Sequence, residues 1–202
     1  AAGLVLRVFV KKVALKKSMP NLEERAREVR RAFFEKLARE QGAKWIVTAH
    51  HADDQVETMI LNFMRGSGVT GLCGMKIAES PYLKPLLGFT KKELLEYVHS
   101  RKLKFMHDKT NDDTRFTRNF IRHEIIPKME KCNSGLVSTL LRNRALLADA
   151  ADFVKSEAKN FLKERTARFA RADFLKLHNA VKTEILQMLY KSETGAVKTL
   201  PF

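Results

Sequence analysis

Residues 44–64 have the sequence KWIVTAHHADDQVETMILNFM, in which a short apolar run is followed by a helical pattern. The apolar run, residues 44–49, comes just after a glycine and is typical of a buried parallel strand. From Ala52 onward, apolar residues recur at helical spacing and predict a helix that ends at the RGSG sequence of residues 65–68. The apolar positions of this helix are Val56, Met59, Ile60 and Phe63. A strand that leads directly into a helix is the unit from which α/β folds are built.

The same order of elements occurs upstream. Residues 4–15, LVLRVFVKKVAL, alternate apolar and polar side chains and predict an extended strand. Residues 22–41 repeat apolar side chains every three or four positions and predict an amphipathic helix. Strand, helix, strand and helix in succession predict an α/β fold with a parallel sheet and right-handed crossovers.

The pattern becomes less regular after the second helix. Residues 66–89 are interrupted by Gly and Pro and are interpreted as irregular. A short helix is predicted over residues 91–101, with Thr90 at its start. Residues 102–106 are compatible with one more strand, and residues 107–114 form a polar loop of turn-forming residues.

The last third of the chain is helical in pattern. Residues 116–131 predict a helix that is bent or broken at Pro127. Beyond residue 134 the pattern predicts one long helix to about residue 164 and another over residues 173–191. We therefore predict two domains, an α/β domain at residues 1–133 and a smaller all-helical domain at residues 134–202.

The charge of the chain favours a polyanionic partner. Lys and Arg number 38 against 23 Asp and Glu, which gives a net charge of +15. Such an excess is typical of proteins that neutralise phosphates, although a basic protein without such a partner is the alternative. No apolar run approaches the roughly 20 residues of a membrane helix. Cys73 and Cys132 are far apart, which disfavours a disulfide framework or a thiolate zinc site and favours two buried thiols in a reducing cytoplasm.

A first candidate site lies in residues 48–58, TAHHADDQVET. On helical spacing His50, Asp54 and Glu57 stand at i, i+4 and i+7, at the end of a strand where α/β sheets bind ligands. Two acids beside an imidazole suit a metal ion, a cationic substrate or proton transfer. The alternative is a solvated helix start, where acids are favoured in any case. The spacing is not the HExxH pattern of zinc enzymes, and we predict no metal ligands here.

A second candidate site lies in residues 111–127, NDDTRFTRNFIRHEIIP. Arg118 and Arg122 stand at i and i+4, where two guanidinium groups on one helix face could clamp a phosphate or an RNA backbone. Asn119 and His123 have the same spacing. The alternative is an exposed face whose arginines pair with acids. The same alternative is favoured for the arginines of the first helix, Arg30 among them, because glutamates are interspersed with them.

The two candidate sites together resemble the tRNA(Ile)-lysidine synthetases. TAHHADDQVETMILNFMRGSG is similar to their TAHHxxDQxET…RGSG motif, and HDKTNDDTRFTRNFIRHEIIP to their second motif, D-x-[ST]-N-x-D…RN-x-[IL]-R…P. The similarity covers about residues 8–130. That family belongs to the PP-loop ATP pyrophosphatases, so the resemblance implies a PP-loop (adenine nucleotide hydrolase-like) domain in the α/β class.

The resemblance implies a specific tRNA modification. ATP adenylates the C2 oxygen of the wobble cytidine of tRNA(Ile) with anticodon CAU, and the ε-amine of L-lysine displaces AMP to form lysidine. The implied enzyme is a cytoplasmic ligase that uses ATP and Mg²⁺ and has no contact with a membrane; a homodimer is left open. An unstacked wobble base would enter the pocket, and the helical domain would hold the tRNA.

The resemblance also implies roles for particular residues. It places His50, Asp54 and Arg122 at the reaction centre, and it assigns Arg30, Asp54 and Glu57 to the binding of lysine. The residues that it assigns to tRNA or phosphate are Lys84, Arg118, Asn119 and Arg122. Lys84 stands where the family usually has Arg, which could alter one contact.

The motif SGGxDS, with which this family binds ATP, does not occur in the sequence. We therefore expect the chain to begin inside a longer protein and to be inactive alone. Two alternative functions remain open: a PP-loop enzyme that thiolates tRNA, and a non-catalytic RNA-binding protein that has lost its ATP loop. The retained acids Asp54 and Glu57 disfavour the second, because carboxylates weaken binding to phosphate.

Overall fold

The computed structural model describes residues 6–14, 22–106, 109–163 and 169–194. Its helices are α1 (Leu22–Glu40), α2 (Ala52–Met64), α3 (Val69–Leu72), α4 (Lys91–Ser100), α5 (Thr117–Phe120), α6 (Ile126–Cys132), α7 (Leu136–Lys163), α8 (Arg171–Lys176) and α9 (Asn179–Thr194). Its strands are β1 (Ile46–Val47), β2 (Ala78–Glu79) and β3 (Tyr82–Leu83). A 3-10 turn covers Lys109–Asp112, and a π-helical turn covers Ile121–Ile125.

The chain divides into two compact units. The first comprises residues 1–54 and 76–125, and the second comprises residues 55–75 and 126–202. Helix α2 begins in the first unit and continues into the second. The functional domains predicted at residues 1–133 and 134–202 stay a prediction, because compactness does not define a functional boundary.

A small mixed sheet organises the first unit. Strand β1 pairs in parallel with β3, placing Ile46 opposite Tyr82, and β3 pairs antiparallel with β2. The strand predicted at residues 44–49 is confirmed in a shorter form, as are α1 and α2. A parallel pair whose connection contains helices confirms the predicted α/β class.

The strand predicted at residues 4–15 is wrong over residues 6–14, which have no regular secondary structure. Val8 and Val10 are 80% and 77% exposed. Alternating side chains describe one strand, but a strand forms only when a neighbour shares its backbone hydrogen bonds. Among the described residues none supplies that neighbour. Residues 4, 5 and 15 lie outside the described part of the chain.

Three other local predictions need correction. Residues 66–89 contain the helix α3 and the β2–β3 hairpin, which are too short to produce a hydrophobic period. Residues 102–106 are not a strand. In the loop predicted at residues 107–114, the first two lie outside the described residues, and the next four form the 3-10 turn.

Helix α4 begins as predicted. The Thr90 side chain accepts from the Glu93 N–H, while the Glu93 carboxylate accepts from the Thr90 N–H at 2.7 Å. This capping box satisfies backbone donors that the first turn of a helix leaves open.

The predicted bend near Pro127 is a π-helical turn that ends two residues earlier in the chain, at Ile125. Residues 117–132 are helical throughout, but the turn widens over Ile121–Ile125. Pro127 has no N–H and cannot complete the helical bond to the carbonyl four residues before it, so the widened turn accommodates it.

Helices α7 and α9 form the core of the second unit. Ala158 and Phe161 of α7 pack with Val181 and Ile185 of α9, all of them buried. The helix predicted at residues 173–191 is two helices, because the ring Nδ1 of His178 accepts from the Ala180 N–H at 3.2 Å and starts a new helix there. Within the described helices, none is both long and apolar enough to cross a membrane.

Candidate active site

A short loop between β1 and α2 carries the two histidines of the first candidate site. His50 and His51 precede α2, which begins at Ala52. The helical spacing predicted for His50 is therefore wrong. Its ring is fixed instead by Thr48, whose hydroxyl lies 2.8 Å from His50 Nδ1. This contact leaves Nε2 as the ring nitrogen for chemistry.

Asp54 is the residue on which the two candidate sites meet. Its Oδ2 accepts from the His51 N–H at 2.9 Å, and its Oδ1 accepts from Arg122 Nη2 at 3.2 Å. Arg118 Nη2 donates to the Asp54 carbonyl at 3.2 Å. Arginines from the second motif thus hold the backbone and the side chain of an acid from the first. The Asp54 side chain is only 13% exposed, which strengthens these charged contacts.

His50 is half-buried and is affected by the charges of one acid and three cations. Burial lowers its pKa below 6.5, and the positive charges of Arg118, Lys84 and Arg27 lower it further, while Asp54 alone among these groups raises it. The imidazole is therefore neutral at neutral pH and able to accept a proton.

His51 and Asp53 form a second charged pair, which pattern analysis missed. His51 Nδ1 lies 3.4 Å from Asp53 Oδ2 but does not form a hydrogen bond with it, so the contact is electrostatic. The Asp53 carboxylate nevertheless raises the pKa of His51, against the effect of burial. The same contact lowers the pKa of Asp53, as does the bond from the Lys91 N–H at 2.7 Å. The sequence feature that could have identified this pair is the closeness of the two histidines and two aspartates in HHADD, residues 50–54.

The two shifts predict a pH window for stability. The raised pKa of His51 stabilises the fold fully below pH 6.5, and this contribution is lost as the pH rises through the folded pKa. The lowered pKa of Asp53 adds stability above pH 3.8, lost as the pH falls through its folded value. We expect Asp53→Asn to lower the pKa of His51 in an NMR titration and to reduce stability most between about pH 4 and 6.5. An unchanged His51 pKa, with His178 as the internal control, would contradict this pair.

Glu57 and Gln55 follow Asp54 on α2 and are almost completely buried. Glu57 is 0% exposed and Gln55 is 2% exposed. The alternative of a solvated helix start is therefore wrong, since these two side chains have almost no contact with solvent. A carboxylate buried in this way is stable only when it is paired.

The other predicted residues are placed differently. Asn119 donates to the Asp113 carbonyl at 3.0 Å and so holds the loop before α5. Lys84 is 9% exposed and points its ammonium toward the Lys76 carbonyl at 3.4 Å. Arg30 is exposed on α1, and among the described residues it makes no hydrogen bond to Asp54 or His50. Arg27, one helical turn earlier, acts on His50 and was not singled out.

Among the described residues, no three His, Cys, Asp or Glu side chains form a group that could hold a metal ion. The arrangement consists instead of a neutral imidazole, a held carboxylate and several fixed cations. Such a combination can take a proton at His50 and stabilise negative charge beside it.

Cys132 is exposed and Cys73 half-buried, so the prediction of two buried thiols is wrong.

Comparison with known proteins identifies the family. Residues 1–129 match the profile of the PP-loop domain. The chain belongs to the PP-loop domain family.

Several similar relatives of this PP-loop protein have the same name. A protein of Porphyromonas gingivalis named tRNA(Ile)-lysidine synthase is 39% identical over 142 residues, 70% of this chain and 31% of its own length. Proteins of the same name from Geobacter sulfurreducens and Thermosipho africanus are 42% and 35% identical, over 64% and 78% of this chain and 28% and 38% of theirs. The chain spans about a third of the length of these relatives.

One solved structure shares the fold. The U34-tRNA thiolase NcsA from Methanococcus maripaludis, solved with its [4Fe-4S] cluster, is similar with a TM-score of 0.51 over 66% of this chain and 47% of its own. The two sequences are 19% identical, so the similarity shows the PP-loop fold and carries no argument about function.

Proposed function

We propose that this chain is the PP-loop portion of a tRNA(Ile)-lysidine synthase, a ligase that joins L-lysine to the wobble cytidine of tRNA(Ile). The observation that supports this most is the 42% identity over 131 residues to the protein so named in Geobacter sulfurreducens. The proposal concerns the intact gene product, since the chain spans about a third of such relatives. It implies a cytoplasmic protein, and a homodimer stays a prediction.

The proposed reaction needs a base. ATP, when bound, would supply the adenylyl group that turns the cytidine C2 oxygen into a leaving group, with release of pyrophosphate. A bond then forms between the lysine ε-nitrogen and C2, the bond from C2 to the oxygen of AMP breaks, and the nitrogen loses protons. His50 is suited to accept a proton because its lowered pKa keeps it neutral and Thr48 fixes its ring.

The fixed cations suit the leaving group. Negative charge develops on the phosphate of AMP as it departs, and preorganised positive charge stabilises it without reorganisation. Arg118 and Lys84 already act electrostatically on His50, which supports their proximity to the reacting atoms. These residues fit an anionic nucleotide. Arg122 and Asn119 are proposed to hold the tRNA backbone from the same face.

The lysine site is proposed at Asp54 and Glu57, with Arg30 near it. A carboxylate offers several acceptor positions for the three N–H donors of an ammonium group, which supports this proposal. Mg²⁺ is expected on the phosphates of ATP. The described residues do not form a metal site, so no step is assigned to this ion.

The test is ATP-dependent incorporation of labelled lysine into bacterial tRNA by the intact protein. We expect His50→Gln to reduce incorporation by about 10²- to 10⁴-fold, the usual contribution of a general base. The matched control is His178→Gln, which changes a histidine that caps α9 and should retain activity. The wild-type rate should fall on the acidic side at a pH below 6.5, because protonated His50 cannot act as a base.

Other outcomes would identify the competing functions. Binding of tRNA by the intact protein without incorporation of lysine would identify a non-catalytic RNA-binding protein. Formation of thiolated nucleosides in place of lysidine would identify a tRNA thiolation enzyme.

A further inference from the structure

A small cavity in the first unit lies next to Arg122 and is not used by the proposed chemistry. Its volume is about 220 Å³. Its lining includes the apolar side chains of Leu95, Phe105 and Met106 and the basic side chains of Lys91, Arg122 and His123. Asp112 adds one carboxylate and Asn111 an amide; the Asn111 carbonyl also lies 2.9 Å from His123 Nε2.

Residues 91–106, which contribute Lys91, Leu95, Phe105 and Met106 to the cavity lining, also carry exposed aromatic rings and cations. Phe105 and Tyr97 are each 57% exposed. The His99 ring meets Phe105 edge-on at 6.1 Å, and the Arg101 guanidinium lies 5.6 Å from the Tyr97 ring centroid. Residues 91–106 contain five Lys or Arg and two Glu. Rings interleaved with cations are characteristic of surfaces that bind single-stranded nucleic acid.

Size and charge restrict what the cavity can hold. Pockets for drug-sized ligands start at roughly 300 Å³, so this cavity admits a smaller group, such as one base of a longer chain. The cations Lys91 and Arg122 in the lining favour a phosphate group next to that base. An acidic peptide would match the cations but gives no reason for the exposed ring.

We propose that this cavity binds one unpaired nucleotide of an RNA loop, whose base stacks on Phe105 and whose phosphate contacts Lys91 and Arg122. The inference rests on the proposed function, in which the anticodon loop of a tRNA approaches this face. The bound nucleotide is a neighbour of the one that reacts at His50. Single-stranded loops, rather than paired stems, present bases that can be stacked in this way.

The test uses the intact protein and a hairpin RNA with a CAU loop that carries the fluorescent base 2-aminopurine. We expect Phe105→Leu, which keeps an apolar side chain but removes the ring, to weaken binding by roughly 5- to 150-fold. The matched control Phe105→Tyr keeps the ring and should bind like the wild type. The fluorescence of 2-aminopurine at the stacked position should be quenched by the wild type and by Phe105→Tyr, and not by Phe105→Leu.

A second variant separates stacking from charge. Lys104→Ala removes an exposed cation beside the ring and should reduce the salt dependence of binding by about 0.7 in the log–log slope. Phe105→Leu should weaken binding and leave that slope unchanged.

Three results would overturn the inference. One is equal affinity of Phe105→Leu and the wild type for the hairpin; another is equal affinity of the wild type for the loop and for a fully paired duplex. The third is an effect of Phe105→Leu on free AMP but not on RNA, which would identify a mononucleotide site. In each of these three results the inference fails while the proposed function can still hold. If the wild type binds no RNA at all, the proposed function fails as well, and this outcome distinguishes the two failures.

Discussion

Asp54→Ala is expected to abolish lysine incorporation in the intact protein, with a loss of at least about 100-fold, and to destabilise the fold. The variant removes the acceptor of Arg122 and of the His51 N–H at once. Asp54 also opposes the cations that lower the pKa of His50, so its loss lowers that pKa further. Because the pair is mostly buried, we expect the free energy of unfolding to fall by about 2–3 kcal/mol, measured by urea denaturation.

Glu40→Ala is the matched control for stability. Glu40 pairs with Lys36 at 3.6 Å, but the two side chains are 53% and 69% exposed. An exposed pair of this kind contributes about 0–1 kcal/mol. Equal destabilisation by the two variants would show that Asp54 does not anchor the arginines. Full activity of Asp54→Ala would remove it from the proposed site.

Gly74→Ala is expected to be the most destabilising single methyl addition among the glycines that the structure describes. Gly74 has a φ of +65°, and a Cβ there would lie 2.5 Å from Oε1 of the buried Gln55. That amide cannot move aside, because its oxygen accepts from the Met75 N–H at 2.7 Å and its nitrogen donates to the Met75 carbonyl at 2.6 Å. Backbone strain and overpacking together should lower the free energy of unfolding by about 3 kcal/mol.

Gly42 offers a control that isolates the backbone contribution. Its φ is +62°, and a Cβ there would meet no atom within 4 Å. Gly42→Ala should therefore cost only the strain of a left-handed residue, about 1 kcal/mol. Comparison of the two variants by thermal and urea denaturation measures the contact with Gln55. Equal losses would mean that Gln55 does not hold the loop at Met75.

The elements predicted best are those whose hydrophobic period is long or whose caps are local. Helix α1 and the start of α4 at Thr90 belong to this class. The segment at residues 6–14 was predicted wrongly because an alternating pattern requires a partner that its own residues do not specify. The division between α8 and α9 depends on one histidine that bonds its own backbone, which hydrophobic spacing cannot register.

The candidate site, like the fold, is predicted from the sequence only in part. Helical spacing singled out Asp54 in the first motif and Arg118 and Arg122 in the second, as two separate candidate sites. Their meeting at one acid is a tertiary fact that spacing within either motif cannot express. His51 and Asp53 were missed because adjacent charged residues usually face solvent separately. The placement of Arg30 and Glu57 in a lysine site stays a prediction.

The π-helical turn over Ile121–Ile125 makes the length of this segment matter as much as its chemistry. Arg118 lies before the turn and Arg122 within it, and both reach Asp54. In an ordinary helix each residue advances about 100° around the axis. A one-residue deletion between these arginines would therefore carry the second guanidinium to another side of the helix with every side chain retained. Substitutions that preserve the residue count here should be accepted far more readily than insertions or deletions.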